Sequence, residues 1–316
     1  MIQSRYQPAP LFNDIADGPE DGEAFWLHAS DGVRLRVGVW GKTETKGTVL
    51  LLPGRTEYVE KYGRAAVDLK QRGYATVVID WRGQGLADRA LADRMVGHVD
   101  HFSEFQLDYQ ALEQFALDLG LPQPFYMIAH SMGGCIGLRA LMGQTQIKAA
   151  AFSAPMWGIL MAAWMRPVAS VISNVAGWVG QAHRFAPGTS DQSYVAEAAF
   201  GGNVLTTDPE MWRYMQQQIQ DHPELSLAGP SLGWLRAALT ECMALTYAPS
   251  PTCPTLTALG SVEKVVDPAP IHMRMARWPN GKLEMFAGAE HEIIMEAPAH
   301  RARFFDMVAA LFEKTR

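Results

Sequence analysis

The sequence holds only three cysteines in 316 residues, Cys135, Cys242 and Cys253, far apart and without a C-x-x-C pair. That supply supports neither a disulfide framework nor a zinc site. Positive charge is also short: 27 lysines and arginines face 33 aspartates and glutamates, a formal net charge of −6. A nucleic-acid partner, which needs a basic face, is therefore not expected. No apolar run reaches the ~20 residues that a membrane-spanning helix requires. The N-terminal stretch carries Asp14, Asp17, Glu20 and Asp21 instead of an apolar segment, so no secretory leader is expected. Internal repeats and low-complexity segments are lacking too. A soluble protein in a reducing, cytoplasmic setting is the expectation.

What the chain does have is material for a large core: 48% of its residues are hydrophobic. The stretches 48–52, 74–79 and 125–128 are patterned as buried strands, and further strands are expected at 147–152, 254–260 and 282–287. Segments with helical spacing lie between or after them, at 58–72, 105–119, 135–141, 271–277 and 298–314. Strand alternating with helix predicts a mostly parallel sheet covered on both faces, the α/β class. Ahead of it, 23–28 and 33–40 form a hairpin around Ser30-Asp31-Gly32, and 1–21 is expected to be an irregular arm. The alternation stops after Ser153. From Ala154 to Tyr247 the pattern is helical, broken at Pro167, Pro187, Pro209, Pro223 and Pro230. The expected organisation is a core in two parts, 1–153 (arm 1–22) and 248–316, with a helical cap at 154–247 inserted between them.

The run Ala129-His130-Ser131-Met132-Gly133-Gly134 follows a predicted strand and opens a predicted helix. A serine on so tight a turn among small residues suits a nucleophile elbow, although Ala129 stands where G-x-S-x-G has its first glycine. A serine hydroxyl needs a base, and the base needs a group to orient it. Of nine histidines, His291 follows the last predicted strand on a glycine-led loop, Gly288-Ala289-Glu290-His291-Glu292, and is the expected base. The acid should follow the strand ending at Gly260. Glu263 is preferred, with Asp267 the alternative; otherwise Asp267 would cap the helix starting at Pro268. Backbone N–H groups of Met132 and Arg55 are the expected oxyanion donors. The Arg55 side chain has two readings, contact with an anionic group on the substrate or plain solvation, and the second is preferred.

Other polar residues have milder readings. His130 is expected to be structural, and His300 to lie at the surface. Glu57 and Tyr62 should order the oxyanion loop. Gly83-Gln84-Gly85 lacks the third glycine of a dinucleotide fingerprint. His98, Asp100, His101 and Asp108 suit turn chemistry better than metal binding. Between Lys148 and Arg184 the sole Lys, Arg, Asp or Glu is Arg166, among Met156, Trp157, Met161, Trp164, Met165 and Trp178. That stretch is either buried packing or an apolar lid over an acyl pocket.

Taken together, 51–62, 80–85, 97–100, 129–134, 260–267 and 288–292 carry a resemblance. The chain resembles the α/β-hydrolase superfamily, in its lysophospholipase and monoacylglycerol-lipase-like branch, often grouped with serine aminopeptidases of the S33 type. The resemblance implies Ser131, Glu263 and His291 as a triad, Arg55 and Met132 as oxyanion donors, and no cofactor or metal. It implies a serine hydrolase that cleaves carboxylic esters through an acyl-enzyme, with lysophospholipid or monoacylglycerol as substrate class and at most transient membrane contact. Three positions depart from the family pattern: Pro53 and Gln84 replace histidines and Ala129 replaces glycine. None removes a reacting group. An amide or peptide hydrolase is the nearest rival and would need a carboxylate for the substrate amine; Glu197, Glu210 and Glu224 are available. A non-catalytic acyl-ligand binder is the rival of a different class.

Overall fold

The computed structural model describes residues 5–162, 165–189 and 191–316, with the backbone alone over 165–170. Its strands are β1 (Gln7–Pro8), β2 (Glu23–His28), β3 (Arg34–Trp40), β4 (Thr48–Leu52), β5 (Ala75–Asp80), β6 (Phe125–His130), β7 (Ile147–Ser153), β8 (Thr255–Gly260) and β9 (Gly281–Phe286). They form one sheet in the order β1-β2-β3-β5-β4-β6-β7-β8-β9. From β5 to β9 every neighbouring pair is parallel, while β3, β2 and β1 extend the β5 side antiparallel.

The strand sequences explain this arrangement. Every residue of β4 and β5 is buried, which suits continuous apolar strands covered on both faces. Period-two alternation divides their side chains. Leu50, Leu52, Val77 and Ile79 face one apolar cluster, and Val49, Leu51 and Val78 face the other. The first cluster takes in residues of α3 (Glu104–Asp118) and α4 (Met132–Leu141). The second takes in α2 (Gly63–Lys70) and α10 (Pro298–Glu313). A buried ionic knot locks β3 to the chain beyond β4. The Arg36 guanidinium gives two N–H bonds to Glu60 and one to Asp80, each 2.7 Å, and Asp80 also accepts from the Val59 and Leu86 amides.

Between β7 and β8 the described residues form helices and no strand: α5 (Met165–Trp178), α6 (Tyr194–Glu197), α7 (Pro209–Asp221) and α8 (Leu232–Tyr247). Asp208 caps α7 through the Glu210 amide with Pro209 in the first turn, and Ser231 caps α8 through the Trp234 amide. Single bridges, Gly97 to Pro230 and Ile159 to Val266, tie this insert to loops of the core. α9 (Pro268–Met275) returns the chain to the sheet.

Two expectations need correction. The arm is not irregular: β1 pairs with β2, and α1 (Asn13–Ala16) buries Ile15 against Tyr58, Ile219 and Leu225. Its order comes from distant partners, since Gln218 and Tyr214 of α7 donate to the Ile15 and Ala16 carbonyls. Local composition cannot show that. Trp157 does not belong to a lid. It is buried in the core between Phe152 and Trp278 and donates to the Gly134 carbonyl at 3.1 Å. Trp178 is 88% exposed. Trp164, and the side chains of Met165 and Arg166, lie outside the described residues.

Candidate active site

The elbow is built by steric necessity. Ser131 has φ 48° and ψ −116°, a conformation costing on the order of 1–3 kcal/mol that persists only when its surroundings over-determine it. They do so here. The Ser131 amide donates to the Ser153 carbonyl, and its own carbonyl accepts from the Gly134 and Met156 amides. A Cβ at Gly133 would collide with the Leu52 carbonyl, and one at Gly134 would sit 2.5 Å from Pro155. The alanine at 129 is tolerated because Gly137 of α4 lies opposite; a Cβ there would already stand 3.3 Å from that of Ala129.

The loop after β8 carries Glu263, the expected acid. Glu263 Oε2 accepts from His291 Nδ1 at 2.8 Å, while Oε1 accepts the Val265 and Val266 amides at 2.6 and 3.0 Å. Both side chains are nearly inaccessible, 1% and 3%. Burial pushes the Glu263 carboxyl up, but its bond to His291 and the two amides outweigh burial and hold it below the ordinary glutamate value. A carboxylate on Nδ1 fixes the proton there and leaves Nε2 as the acceptor nitrogen. Asp267 is engaged elsewhere, its Oδ1 accepting the Ala269 amide at the start of α9. The base loop is tied to the helical insert, since the Glu292 amide donates to the Leu205 carbonyl at 2.8 Å. Ser131 and His291 line one cavity of 260 Å³ together with Arg55.

The loop after β4 brings Arg55 to the same place. Its side chain is not simply solvated. The guanidinium packs over Trp234 at 5.6 Å, Nη1 donates to the Ala228 carbonyl at 2.7 Å, and burial lowers its pKa to about 10. The loop is clamped by an amide whose role the sequence pattern does not disclose. Gln84 Nε2 donates to the Gly54 carbonyl and Oε1 accepts the Thr56 amide, with Thr56 at φ 66°. Trp81 adds a bond to the Pro53 carbonyl. Glu57 accepts from the Gly54 amide, the Tyr62 hydroxyl and Lys61 Nζ. Burial would raise the Glu57 carboxyl; Lys61 and His130 reverse this and bring it to about 2.

Lys61 also reaches Glu292 Oε2 at 2.8 Å and so links the oxyanion loop to the base loop. Its i,i+4 spacing from Glu57 is the one sequence signal for this pair. Glu57, His130 and Glu292 put ligand-type atoms within 4.8 Å of one another, with the Lys61 ammonium already bridging both carboxylates. His130 Nδ1 donates to the Ser153 carbonyl at 3.0 Å, and burial lowers its pKa to about 3. Asp108 pairs with Arg82, while His98 bonds Ser231 through Nδ1 and faces Asp100 through Nε2.

A family model described as serine aminopeptidase, S33, matches residues 43–298. The chain belongs to this family of α/β-hydrolases. Within it the chain sits in the lysophospholipase and monoacylglycerol-lipase-like branch. It is 31% identical over 277 residues to lysophospholipase L2 of Escherichia coli strain K12, covering 84% of this chain and 80% of that protein. It is 25% identical over 274 residues to a monoacylglycerol lipase of Mycolicibacterium smegmatis, covering 84% and 88%. In fold it matches a monoglyceride lipase from Saccharomyces cerevisiae with a TM-score of 0.71 at 20% identity, over 92% of this chain and 94% of that one. Against this α/β-hydrolase frame, the three departures cost no reacting atom: Pro53 gives a carbonyl to Trp81, Gln84 clamps the loop, and Ala129 packs against Gly137.

Proposed function

We propose that the protein is a serine hydrolase of carboxylic esters, acting on lysophospholipid- or monoacylglycerol-like substrates. The observation that carries this is the His291–Glu263 pair at 2.8 Å, opening on the cavity that Ser131 enters from a strained elbow. Ser131 Oγ attacks the ester carbonyl as His291 Nε2 takes its proton. The tetrahedral oxyanion is held by the N–H groups of Met132 and Arg55. Collapse expels the alcohol, which receives the proton from His291, and leaves an acyl-serine. Water, deprotonated by the same nitrogen, then releases the acid and restores Ser131.

Substrate size is suggested by an apolar cavity of 540 Å³ that meets Ser131 and is lined by Met156, Ile159, Met161, Ile172 and Leu235 among others. Its dimensions and lining suit an alkyl chain. We take the insert of 154–247, apart from the core-packed Trp157, as the lid of this cavity. Beside it α5 and the turn after it present Val171, Val175, Trp178 and Val179 outward, 47–88% exposed, a face suited to brief contact with a lipid surface from which substrate is drawn. No helix among the described residues is long and apolar enough to cross a membrane. A cytoplasmic location fits the free cysteines.

The test is labelling with a fluorophosphonate probe, followed by adduct mapping. Modification of Ser131, lost in Ser131→Ala, is expected; absence of an adduct in the wild type would make the chain a binder of acyl ligands. Turnover of acyl esters from acetate to palmitate is then compared with an aminoacyl anilide. Preference for the anilide would favour amide hydrolysis. Of the three carboxylates that rival could use, Glu210 pairs with Arg64 and Glu224 with His222, while Glu197 lines a cavity shared with Arg55.

A further inference from the structure

Arg55 differs from the other enclosed arginines. Arg36 pairs with Glu60 and Asp80, and Arg82 with Asp31, Glu104 and Asp108. Arg274 has no carboxylate but gives its N–H groups to the Leu245 and Ala248 carbonyls and the Ser250 hydroxyl. Among the described residues Arg55 has no carboxylate partner, and its one hydrogen bond is to the Ala228 carbonyl. A guanidinium offers five N–H donors in a planar fork suited to a bidentate oxyanion. Most of that capacity is unspent, in a place where the cation is poorly hydrated.

Arg55 stands where three cavities meet. One is the 260 Å³ space over Ser131 and His291; the second is the apolar 540 Å³ space. The third, 410 Å³, is lined by Arg55, Thr56, Thr189, Ser193, Tyr194 and Glu197 among others. With a substrate ester at Ser131 and its acyl chain in the apolar space, the alcohol portion must occupy what remains. The catalytic space is also lined by Arg55, but there Glu57, Lys61 and Glu292 already engage one another. The third space offers hydroxyls and the Arg55 fork instead.

We propose that this third cavity is a headgroup site for a phosphate ester, with Arg55 as the residue that selects phosphate-bearing lysolipids over neutral monoacylglycerols. The inference rests on the ester-hydrolase reading and narrows it. Glu197, exposed on the same lining, marks where a positively charged end group beyond the phosphate would lie.

The experiment compares kcat/KM for 1-palmitoyl-glycero-3-phosphocholine and 1-palmitoyl-glycerol in mixed micelles of one neutral detergent. In Arg55→Met the phospholipid-to-neutral ratio is expected to fall about tenfold or more, the scale of losing a charge-assisted hydrogen bond. The ratio is insensitive to any common loss from disturbing the oxyanion loop. Arg55→Lys should recover part of it by keeping the charge. A second arm measures binding of the same lysophospholipid and of sn-glycerol 3-phosphate to the Ser131→Ala protein, with and without Arg55→Met, using glycerol as control. Equal losses on both substrates, or glycerol 3-phosphate binding no better than glycerol, would overturn the proposal. Failure of the hydrolase reading would show separately, as an unlabelled Ser131 and no turnover of any ester, while the binding arm still judges Arg55.

Discussion

Replacing Glu263 by glutamine tests the acid by a geometric argument. In the native loop Oε1 is an acceptor for two amides, Val265 and Val266, and Oε2 faces His291 Nδ1. A glutamine there has one acceptor oxygen and one NH₂ donor. Two backbone N–H groups cannot face NH₂, so the oxygen takes the Oε1 position and the NH₂ turns toward His291. Nδ1 must then accept, the ring proton moves to Nε2, and the nitrogen meant to take the proton of Ser131 is already protonated. The equivalent tautomer error in a serine protease costs roughly 10⁴ in kcat. A loss of 10³–10⁴, about 4–5.5 kcal/mol at 1.36 per decade, is expected in ester hydrolysis. Fluorophosphonate labelling should slow in parallel while the melting temperature stays near wild type. Asp267→Asn, which touches only a helix cap, should retain activity within a few-fold. A loss below tenfold in Glu263→Gln, or one matched by Asp267→Asn, would refute the reasoning.

Gln84→Ala removes both bonds that hold the oxyanion loop at Gly54 and Thr56; kcat should fall by about 10²-fold with little change in KM, since the loss of one oxyanion donor costs 10²–10³. Unchanged turnover would show that Glu57 and Trp81 hold the loop unaided. Stability should depend on pH through His130 and Glu57. Burial lowers the His130 pKa from 6.5 to about 3, so below 6.5 the unfolded chain binds a proton that the folded one refuses. Its contribution is complete above pH 6.5 and declines toward pH 3. Glu57, brought from 4.5 to about 2 against burial by Lys61 and His130, contributes above pH 4.5 and is lost between 4.5 and 2. Urea unfolding should thus weaken by up to about 2 kcal/mol from pH 6.5 to 5 at 1.36 per unit, and faster below 4.5. His130→Asn should flatten the first stretch, and a wild-type profile flat down to pH 5 would contradict the assignment.

The sheet was legible because its central parallel strands are short apolar runs ended by a breaker, as in β4 before Pro53-Gly54. The candidate triad follows from chain order and strand ends, with Ser131 after β6, Glu263 after β8 and His291 after β9. What lay beyond the sequence depends on contacts between distant segments. The arm folds because α7 of the insert donates to its carbonyls. Trp157 resembles lid material by neighbourhood, yet a stacking partner 121 residues later, Trp278, draws it into the core. The Arg55 side chain looked solvated because nothing near it in sequence announces Trp234 or the Ala228 carbonyl.

The amide of Gln84 has a consequence for how the enzyme responds to its medium. An imidazole at that point would gain a proton in mild acid and, once doubly a donor, would push away the Thr56 N–H that the loop relies on. A carboxamide has one acceptor and one donor end at every pH. The Gln84 clamp of this chain therefore does not titrate, and the pH response of the loop is left to Glu57.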